Sequence, residues 1–289
     1  MGNILLKKVQ RLLSHEHSCK LIIAELLRKI GISMPFLIDR GRYKIKFYST
    51  TYSRGLYTIP SDRQYDENFF ISYLKSGDII VDIGANIGEL TLLSASLAKE
   101  NGKVYAFEAN PKTYNKYLLK NIKLNEFRNI EPFCMALGDQ NSVAELADLR
   151  SDGCNYIVAG KSNNIKTVKT KLSKLEDLIP STIQRINLLK IDTEGYELFV
   201  LKGAGDVLDK TDCIYYESYE GQYNRFAYGT QDVLSFLTTK GYKIFRIVGK
   251  EHICEIKDTS HYVSSHLENL IAVKDVAAFI KRTKFKVEV

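Results

Sequence analysis

The sequence predicts an α/β fold with a Rossmann-like, doubly wound and mostly parallel sheet, preceded by a helical arm. Three observations carry this. From residue 78 onward, short apolar runs bounded by turn residues alternate with stretches long enough for helices. The run IIVDIGA is apolar nearly throughout, as a strand covered on both faces is. It ends in VDIGANIGE, residues 81–89, where two glycines four apart stand between a strand and a helix.

Residues 3–30 read as helical, with Leu5, Val9 and Leu12 on one face, Leu26, Leu27 and Ile30 on another stripe, and Gly31 as a C-cap. YKIKFYST (43–50) alternates like a short strand, and DENFFISYL (66–74) reads as a helix. Then follow strand IIVDIGA, helix GELTLLSASLAKE, strand KVYAFEA, and helix PKTYNKYLLKNIKLN with Pro111 in its first turn. IEPFCMAL is the third strand. A polar excursion from Gly138 to Lys171 holds SVAELADL and TVKTKLS, which suggest a hairpin or paired edge strands. INLLKIDTE resumes the pattern, YELFVLKGAGDVLD gives a helix and DCIYYESYE a strand. TQDVLSFLTTKGY, capped at Gly241, gives a helix, YKIFRIV a strand, and NLIAV the last apolar run. The expected organisation is a basic helical arm with a short strand over residues 1–65 and one ligand-binding domain over 66–289, with 138–171 as an insertion. In such a sheet ligands bind beyond the carboxyl ends of the strands.

The formal charge of +7 sits at the front of the chain, because residues 1–46 hold ten Lys or Arg against three acids and the remainder balances to zero. A neutral core with no N/D-P-P-Y/F string argues against a nucleic-acid partner. The basic amphipathic arm can lie on an anionic membrane as a peripheral contact, or simply pack on its own domain. Five dispersed cysteines form no CxxC pair, so neither a disulfide framework nor a thiolate zinc site is indicated, and a reducing compartment, the cytoplasm, fits. LIIAELLRKI is interrupted by Glu25 and Arg28 and is too short to span a bilayer. MGNILL offers Leu6 where a myristoylation signal needs Ser or Thr.

At the first strand-to-helix turn a glycine lets a nucleotide-like ligand approach the backbone. Gly84 and Gly88 stand there with Ala85 and Asn86 between them, in place of the G-x-G-x-x-G of dinucleotide-binding turns. No phosphate-neutralising residue is present, and Asp82 at the strand end would repel a pyrophosphate while suiting an ammonium group. S-adenosylmethionine, with its α-amino group, sulfonium and ribose, meets that description. The second strand ends in Glu108, where an acidic side chain can accept both ribose hydroxyls. Ala109 and Asn110 follow at the adenine position, and Met135, Ala136 and Leu137 suit an apolar adenine slot.

These segments resemble the FkbM-type methyltransferases of the Rossmann-like, S-adenosylmethionine-dependent class. The resemblance spans about Asp78 to Val273 and rests on VDIGANIGELTL, VYAFEANP, LLKNIKLN, LLKIDTEGYELFVLKGA, the YYES strand end and NLIAV. The D-x-E-G-x-E-x-x-x-L-x-G-A string is the most specific of them. Thr193 stands where the family has an aliphatic residue, and Ala109 where it has a proline. The resemblance implies the seven-stranded class I methyltransferase sheet, S-adenosylmethionine as cofactor, O-methylation, and sugar hydroxyls of glycans, glycolipids or glycosylated metabolites as acceptors.

Transfer to a hydroxyl needs in-line approach and a proton acceptor. Asp192 and Glu194 at the end of the fourth strand and Glu217 at the end of the fifth are the candidates, Asp192 also touching the cofactor. Clustered carboxylates can alternatively hold a hard divalent cation, or Asp192 or Thr193 can merely cap the next helix. No metal ligand set is assigned. Tyr215, Tyr216, Tyr219, Tyr223 and Tyr228 read either as a stacking platform or as core. Two rival functions are a non-catalytic cofactor-fold module tethered through the basic arm, and a NAD-dependent oxidoreductase, which the missing G-x-G-x-x-G disfavours. Acceptor identity, methylated position and oligomeric state are not written in these motifs.

Overall fold

A computed structural model describes residues 36–59, 64–149, 155–158 and 165–288, together with Ile23 and Leu26. The expected helix over 3–30 lies outside the described residues except for those two, which are helical and exposed. Among the described residues no helix is long and apolar enough to cross a membrane.

A small antiparallel pair, β1 (Leu37–Asp39) and β2 (Lys44–Lys46), leads into α1 (Thr51–Thr58) and α2 (Gln64–Tyr73). The main sheet begins with β3 (Ile79–Ile83), α3 (Glu89–Ala98) and β4 (Lys103–Glu108). A helical stretch follows: α4 (Pro111–Thr113), a π-helical turn (Tyr114–Leu118) and α5 (Leu119–Asn125), then β5 (Ile130–Cys134). Next come β6 (Ala136–Leu137), β7 (Ser142–Ala147), β8 (Thr167–Ser173), β9 (Ile186–Ile191), α6 (Glu197–Lys202) and β10 (Thr211–Ser218). The chain closes with α7 (Glu220–Tyr223), α8 (Thr230–Thr239), β11 (Lys243–Gly249), β12 (His252–Glu255), β13 (Glu268–Val273), α9 (Val276–Thr283) and β14 (Lys286–Glu288).

Nine strands form the main sheet in the order β14-β12-β11-β13-β10-β9-β3-β4-β5. Strands β5, β4, β3, β9 and β10 run parallel, and β13 lies antiparallel between β10 and β11. The chain leaves β3 toward β4 on one side and returns to β9 on the other, so the crevice at the carboxyl ends of β3 and β9 is a topological switch point. The seven strands from β5 to β11 with the reversed β13 are the class I methyltransferase arrangement expected from the sequence. Two further strands extend the sheet past β11: β12, which the sequence did not announce between β11 and the last apolar run, and the edge strand β14, which with helix α9 follows that run.

Alternation along the central strands divides the core. Val81, Ile83, Leu189, Ile191, Ile214 and Tyr216 face one apolar layer, and Ile80, Leu188, Cys213 and Tyr215 face the other. The second layer also contains Ile45, Phe47 and Leu56, so residues 36–59 pack directly on the sheet. Each such fully buried aliphatic side chain contributes about 1.5–3 kcal/mol of transfer free energy.

Two expected elements are divided. IEPFCMAL breaks at Met135, because β5 continues the main sheet while β6 pairs with β8 in a separate three-stranded sheet, β6-β8-β7. The segments SVAELADL and TVKTKLS, expected as a hairpin or paired edge strands, are β7 and β8, which pair antiparallel. The helix over YELFVLKGAGDVLD ends at Lys202, where Gly203 passes so close to Gly138 that a Cβ would stand 1.8 Å from its carbonyl oxygen.

Candidate active site

A cavity of about 540 Å³ opens at the carboxyl ends of β3, β4, β9 and β10. Its back edge is the turn after β3. There Gly84 and Ala85 both donate their N–H to the Phe107 carbonyl at 2.9 Å, tying the turn to the next strand. Gly84 has φ +78°, and a Cβ there would lie 1.9 Å from the Asp192 carbonyl oxygen. Gly88, at φ +96°, is the N-cap of α3, and its Cβ would press on Leu118 at 2.8 Å. These glycines were expected to clear a path for a ligand. Left-handed backbone and close packing of the turn on β9 and on the π-helical turn also require them, and Gly84 lines the cavity.

Of the residues expected to meet a cofactor, Gly84, Asn86, Glu108, Ala109, Asn110, Ala136, Leu137 and Asp192 all line this cavity. Ala85 faces a smaller polar cavity behind the turn, and Gly88 is buried in the helix start. Asp82 is a correction. It was expected to offer its charge to a ligand ammonium, yet it is only 1% exposed, accepts a hydrogen bond from Thr91 Oγ1 at 2.5 Å and lies 3.1 Å from the ammonium of Lys190. The protein supplies the cation itself.

Glu108 sits at the end of β4 with both carboxylate oxygens directed by backbone amides: Asn86 N–H donates to Oε2 and Asn110 N–H to Oε1, each at 2.8 Å. Burial pushes its carboxyl up to about 7, against the opposing pull of those two amides. Each oxygen keeps a lone pair for a hydroxyl donor. Asn110 in turn caps α4, accepting from Lys112 N–H at 2.9 Å. Beyond them Phe107, Met135, Ala136, Leu137 and Ile157 make an apolar wall.

At the other end of the cavity, Asp192, Glu194 and Glu217 present oxygens that all lie within 4.8 Å of one another. The DTEG turn that creates this cluster places Glu194 at φ +57° and Gly195 at φ +103°. Glu197 holds the turn: its Oε1 accepts from Thr193 N–H at 2.9 Å, Thr193 Oγ1 at 3.0 Å and Gly195 N–H at 3.3 Å. Capping by Asp192 or Thr193 is therefore not what the structure uses. Gln222 donates to Glu194 Oε2 at 2.7 Å. Burial, then the neighbouring Asp192 and Glu197 charges, push Glu194 up to about 8. Burial and the same carboxylate crowding hold Glu217 well above the ordinary glutamate range. Chemically, the cluster can hold a proton near neutral pH, and its oxygens could equally offer ligands to a hard divalent cation.

Sequence reasoning missed several wall residues. Tyr52 reaches the cavity from α1, Gln222 and Arg225 come from the segment after β10, and Asn155 and Tyr156 come from the excursion between β7 and β8. Lys190 carried a visible signal, being a charged residue inside the otherwise apolar strand INLLKI. Of the five tyrosines, Tyr219 lines the cavity, Tyr215, Tyr216 and Tyr223 are core, and Tyr228 donates to the Gly195 carbonyl at 2.6 Å. His252 and His261 pair with Glu288 and Asp258 away from the site.

Strand order, a reversed seventh strand and a cavity at the switch point define a Rossmann-like fold of the class I methyltransferase type. The sequence profile of the methyltransferase FkbM domain matches residues 82–244, more than half of the chain. The chain belongs to the FkbM methyltransferase domain family. The hexuronic acid methyltransferase AglP of Haloferax volcanii is 26% identical over 150 residues, covering 51% of this chain and 58% of that protein. Methyltransferase 1 of Beauveria bassiana is 24% identical over 161 residues, covering 49% of this chain and 64% of its own length. The chain thus spans less than two thirds of either relative. Among solved structures, the precorrin-6y C5,15-methyltransferase of Geobacter metallireducens superposes with a TM-score of 0.41 at 14% identity, over 74% of this chain and 88% of that one.

Proposed function

We propose that the protein transfers a methyl group from S-adenosylmethionine to a hydroxyl, with a sugar hydroxyl of a glycan, glycolipid or glycosylated metabolite as the acceptor class. One observation carries this reading: a single cavity has an amide-oriented carboxylate, Glu108, on one wall and the Asp192–Glu194–Glu217 cluster on another. The first suits a ribose diol and the second a departing proton.

The cofactor fits the residues present. Glu108 has acceptor capacity for two hydroxyls, the wall of Met135, Ala136 and Leu137 suits adenine, and among the described residues the cation at the glycine turn, Lys190, is buried against Asp82 and the Gly84 carbonyl rather than turned to a phosphate. When bound, the sulfonium supplies the electrophilic methyl group. The protein's own part is orientation and proton removal. For the acceptor oxygen to take the methyl group, with the S–CH3 bond broken and the sulfur leaving as the neutral thioether of S-adenosylhomocysteine, the acceptor proton would pass to a carboxylate, and Glu194 is the residue we assign as general base. Gln222 fixes its Oε2, and a carboxyl titrating near 8 is a better match to a weakly acidic hydroxyl than an ordinary glutamate. Asp192 and Glu217 position the acceptor and keep the proton affinity of the cluster high.

The acceptor end favours an acidic sugar. Arg225, exposed at the rim, places its guanidinium 4.5 Å from the centre of the Tyr156 ring and is the cationic side chain among the described lining residues. A guanidinium recognises a carboxylate in bidentate fashion, and a neighbouring aromatic face stacks on a sugar ring. The hexuronic acid relative agrees with that chemistry.

Calorimetric titration with S-adenosylmethionine, S-adenosylhomocysteine and NAD, beside a Glu108→Ala variant, tests the cofactor. Binding of both adenosyl ligands but not NAD, lost in the variant, supports it. Mass-spectrometric assay of methyl transfer to methyl glucuronoside and methyl glucoside then tests the acceptor. Cofactor binding with no turnover on any hydroxyl acceptor would favour the non-catalytic module.

A further inference from the structure

Lys190 is only 4% exposed, near the carboxyl end of β9, where the other five residues are buried and uncharged. A buried ammonium must be fully partnered to be tolerated. Register places Lys190 directly beside Asp82 on the neighbouring strand. Its Nζ lies 3.1 Å from Asp82 Oδ1 and 3.6 Å from Asp192 Oδ2. It also donates to the Ile83 carbonyl at 3.2 Å and to the Gly84 carbonyl at 2.7 Å. The shortest of the four contacts is thus to the glycine turn and not to a carboxylate. Among the described residues no backbone N–H reaches the Gly84 oxygen, whereas the Ile83 oxygen also accepts from Asp192 N–H at 3.1 Å.

We infer that Lys190 is the positioning residue of the cofactor turn: its buried ammonium fixes the Gly84 carbonyl and Asp82 and thereby sets the cavity wall that receives the adenosyl ligand. This rests on the cofactor reading above. The geometry separates it from a simpler role. A lysine needed only to neutralise Asp82 could be replaced, together with that aspartate, by a neutral pair at little cost. A lysine that clamps the Gly84 carbonyl could not, because the turn would lose a charged hydrogen bond to an oxygen that no backbone amide reaches. Burial opposes the charge on Lys190, but Asp82 and Asp192 outweigh it and hold its pKa above the ordinary lysine value, so the clamp is a cation at every working pH.

The test uses the full chain, S-adenosylhomocysteine calorimetry and thermal melting. Lys190→Met alone leaves Asp82 buried without its counter-ion and is expected to melt lower. The double variant Lys190→Met/Asp82→Asn removes that charge while keeping an acceptor for Thr91, and is expected to regain most of the lost melting temperature. Its affinity for S-adenosylhomocysteine should nevertheless stay about tenfold or more below that of Asp82→Asn alone, as loss of a charged hydrogen bond implies. Recovery of affinity together with melting temperature would reduce Lys190 to a counter-ion and overturn the inference. Failure of the wild-type protein to bind S-adenosylhomocysteine would instead strike the cofactor reading itself.

Discussion

The side-chain amide of Gln222 donates to Glu194 Oε2 at 2.7 Å across a sequence separation of 28 residues. Gln222 comes from α7 and Glu194 from the turn after β9, so two separate crossovers must fold before the proposed base is oriented. The hydrogen bond fixes one carboxylate oxygen and leaves the other for the acceptor. Glu194→Gln preserves the shape and removes the proton acceptor. Methyl transfer should fall by about 10²–10⁴-fold, with S-adenosylhomocysteine affinity changed by less than about threefold. A variant that turns over at the wild-type rate would assign the base elsewhere, with Glu217 next in line.

The same residue sets a pH profile. Glu194 must be ionised to accept a proton, and burial beside Asp192 and Glu197 pushes its carboxyl up to about 8. Turnover under saturating substrate should therefore rise from pH 6 and level off above about 8. A rising limb that ends near the ordinary glutamate value would show that the crowding seen here is relieved in the complex, by a bound cation or by the acceptor. Comparing rates with and without a chelator distinguishes these.

Glu108 gives a second pH dependence at the opposite wall, in binding. Its carboxyl titrates near 7 because burial outweighs the two amides that donate to it. The ionised form accepts hydroxyl hydrogens better than the protonated one. Affinity for S-adenosylhomocysteine should increase as pH rises from 6 to 8. Glu108→Gln should abolish that trend and weaken binding at pH 8 by about tenfold, the effect of losing charge assistance in two hydrogen bonds.

Much of this architecture was legible because it depends on local patterns. Apolar runs punctuated by glycine and acidic residues placed β3, β4, β9 and β10, and the parallel order brought Glu108, Asp192, Glu194 and Glu217 to one end of the sheet. What escaped depends on tertiary neighbours. Gly84 needed explanation by the Asp192 carbonyl, which lies over a hundred residues away and which no turn pattern announces. Asp82 seemed free for a ligand because its partner, Lys190, is on a strand adjacent only after folding. The excursion between β7 and β8 gave its strands by alternation, but that Tyr156 would lie beneath Arg225 is a matter of docking. Strands β12 and β14 at this side of the sheet are short, and their pairing rather than their composition makes them strands.

Gly84→Ala is expected to damage the fold before it affects chemistry. The added Cβ would stand 1.9 Å from a backbone oxygen, and the residue would be held at φ +78°. Steric overlap with a main-chain atom cannot be relieved by a rotamer change, so β3 and β9 would have to separate. A loss of about 3 kcal/mol or more, or failure to accumulate folded protein, is expected in urea unfolding. Gly88→Ala meets the far end of Leu118 and should be milder.

Glu197 shows how the turn of the candidate site is tied to stability. It is fully buried, and one of its oxygens gathers three donors from Thr193 and Gly195, while burial pushes its carboxyl up to about 7. A glutamate whose folded-state pKa lies above its unfolded value keeps its proton in the folded protein over a range where the unfolded chain has already released it. Its contribution to stability is therefore fully present below about pH 4.5 and is lost as pH rises toward 7, after which the contribution is constant. Glu108, Glu194 and Glu217 impose the same sign, so the wild-type melting temperature should decline between pH 5 and 8. Glu197→Gln retains an acceptor for Thr193 and Gly195 and has nothing to titrate. Its melting temperature should fall less steeply than wild type over that interval, and the difference between the two curves isolates Glu197. Glu197→Ala abandons the three donors and should cost about 2–3 kcal/mol near pH 5, the penalty of leaving buried polar groups unpaired, and less as the pH rises toward 7. If the glutamine variant shows the full wild-type slope, Glu197 is ionised in the folded protein throughout, and the turn is held by a charged acceptor rather than a protonated one.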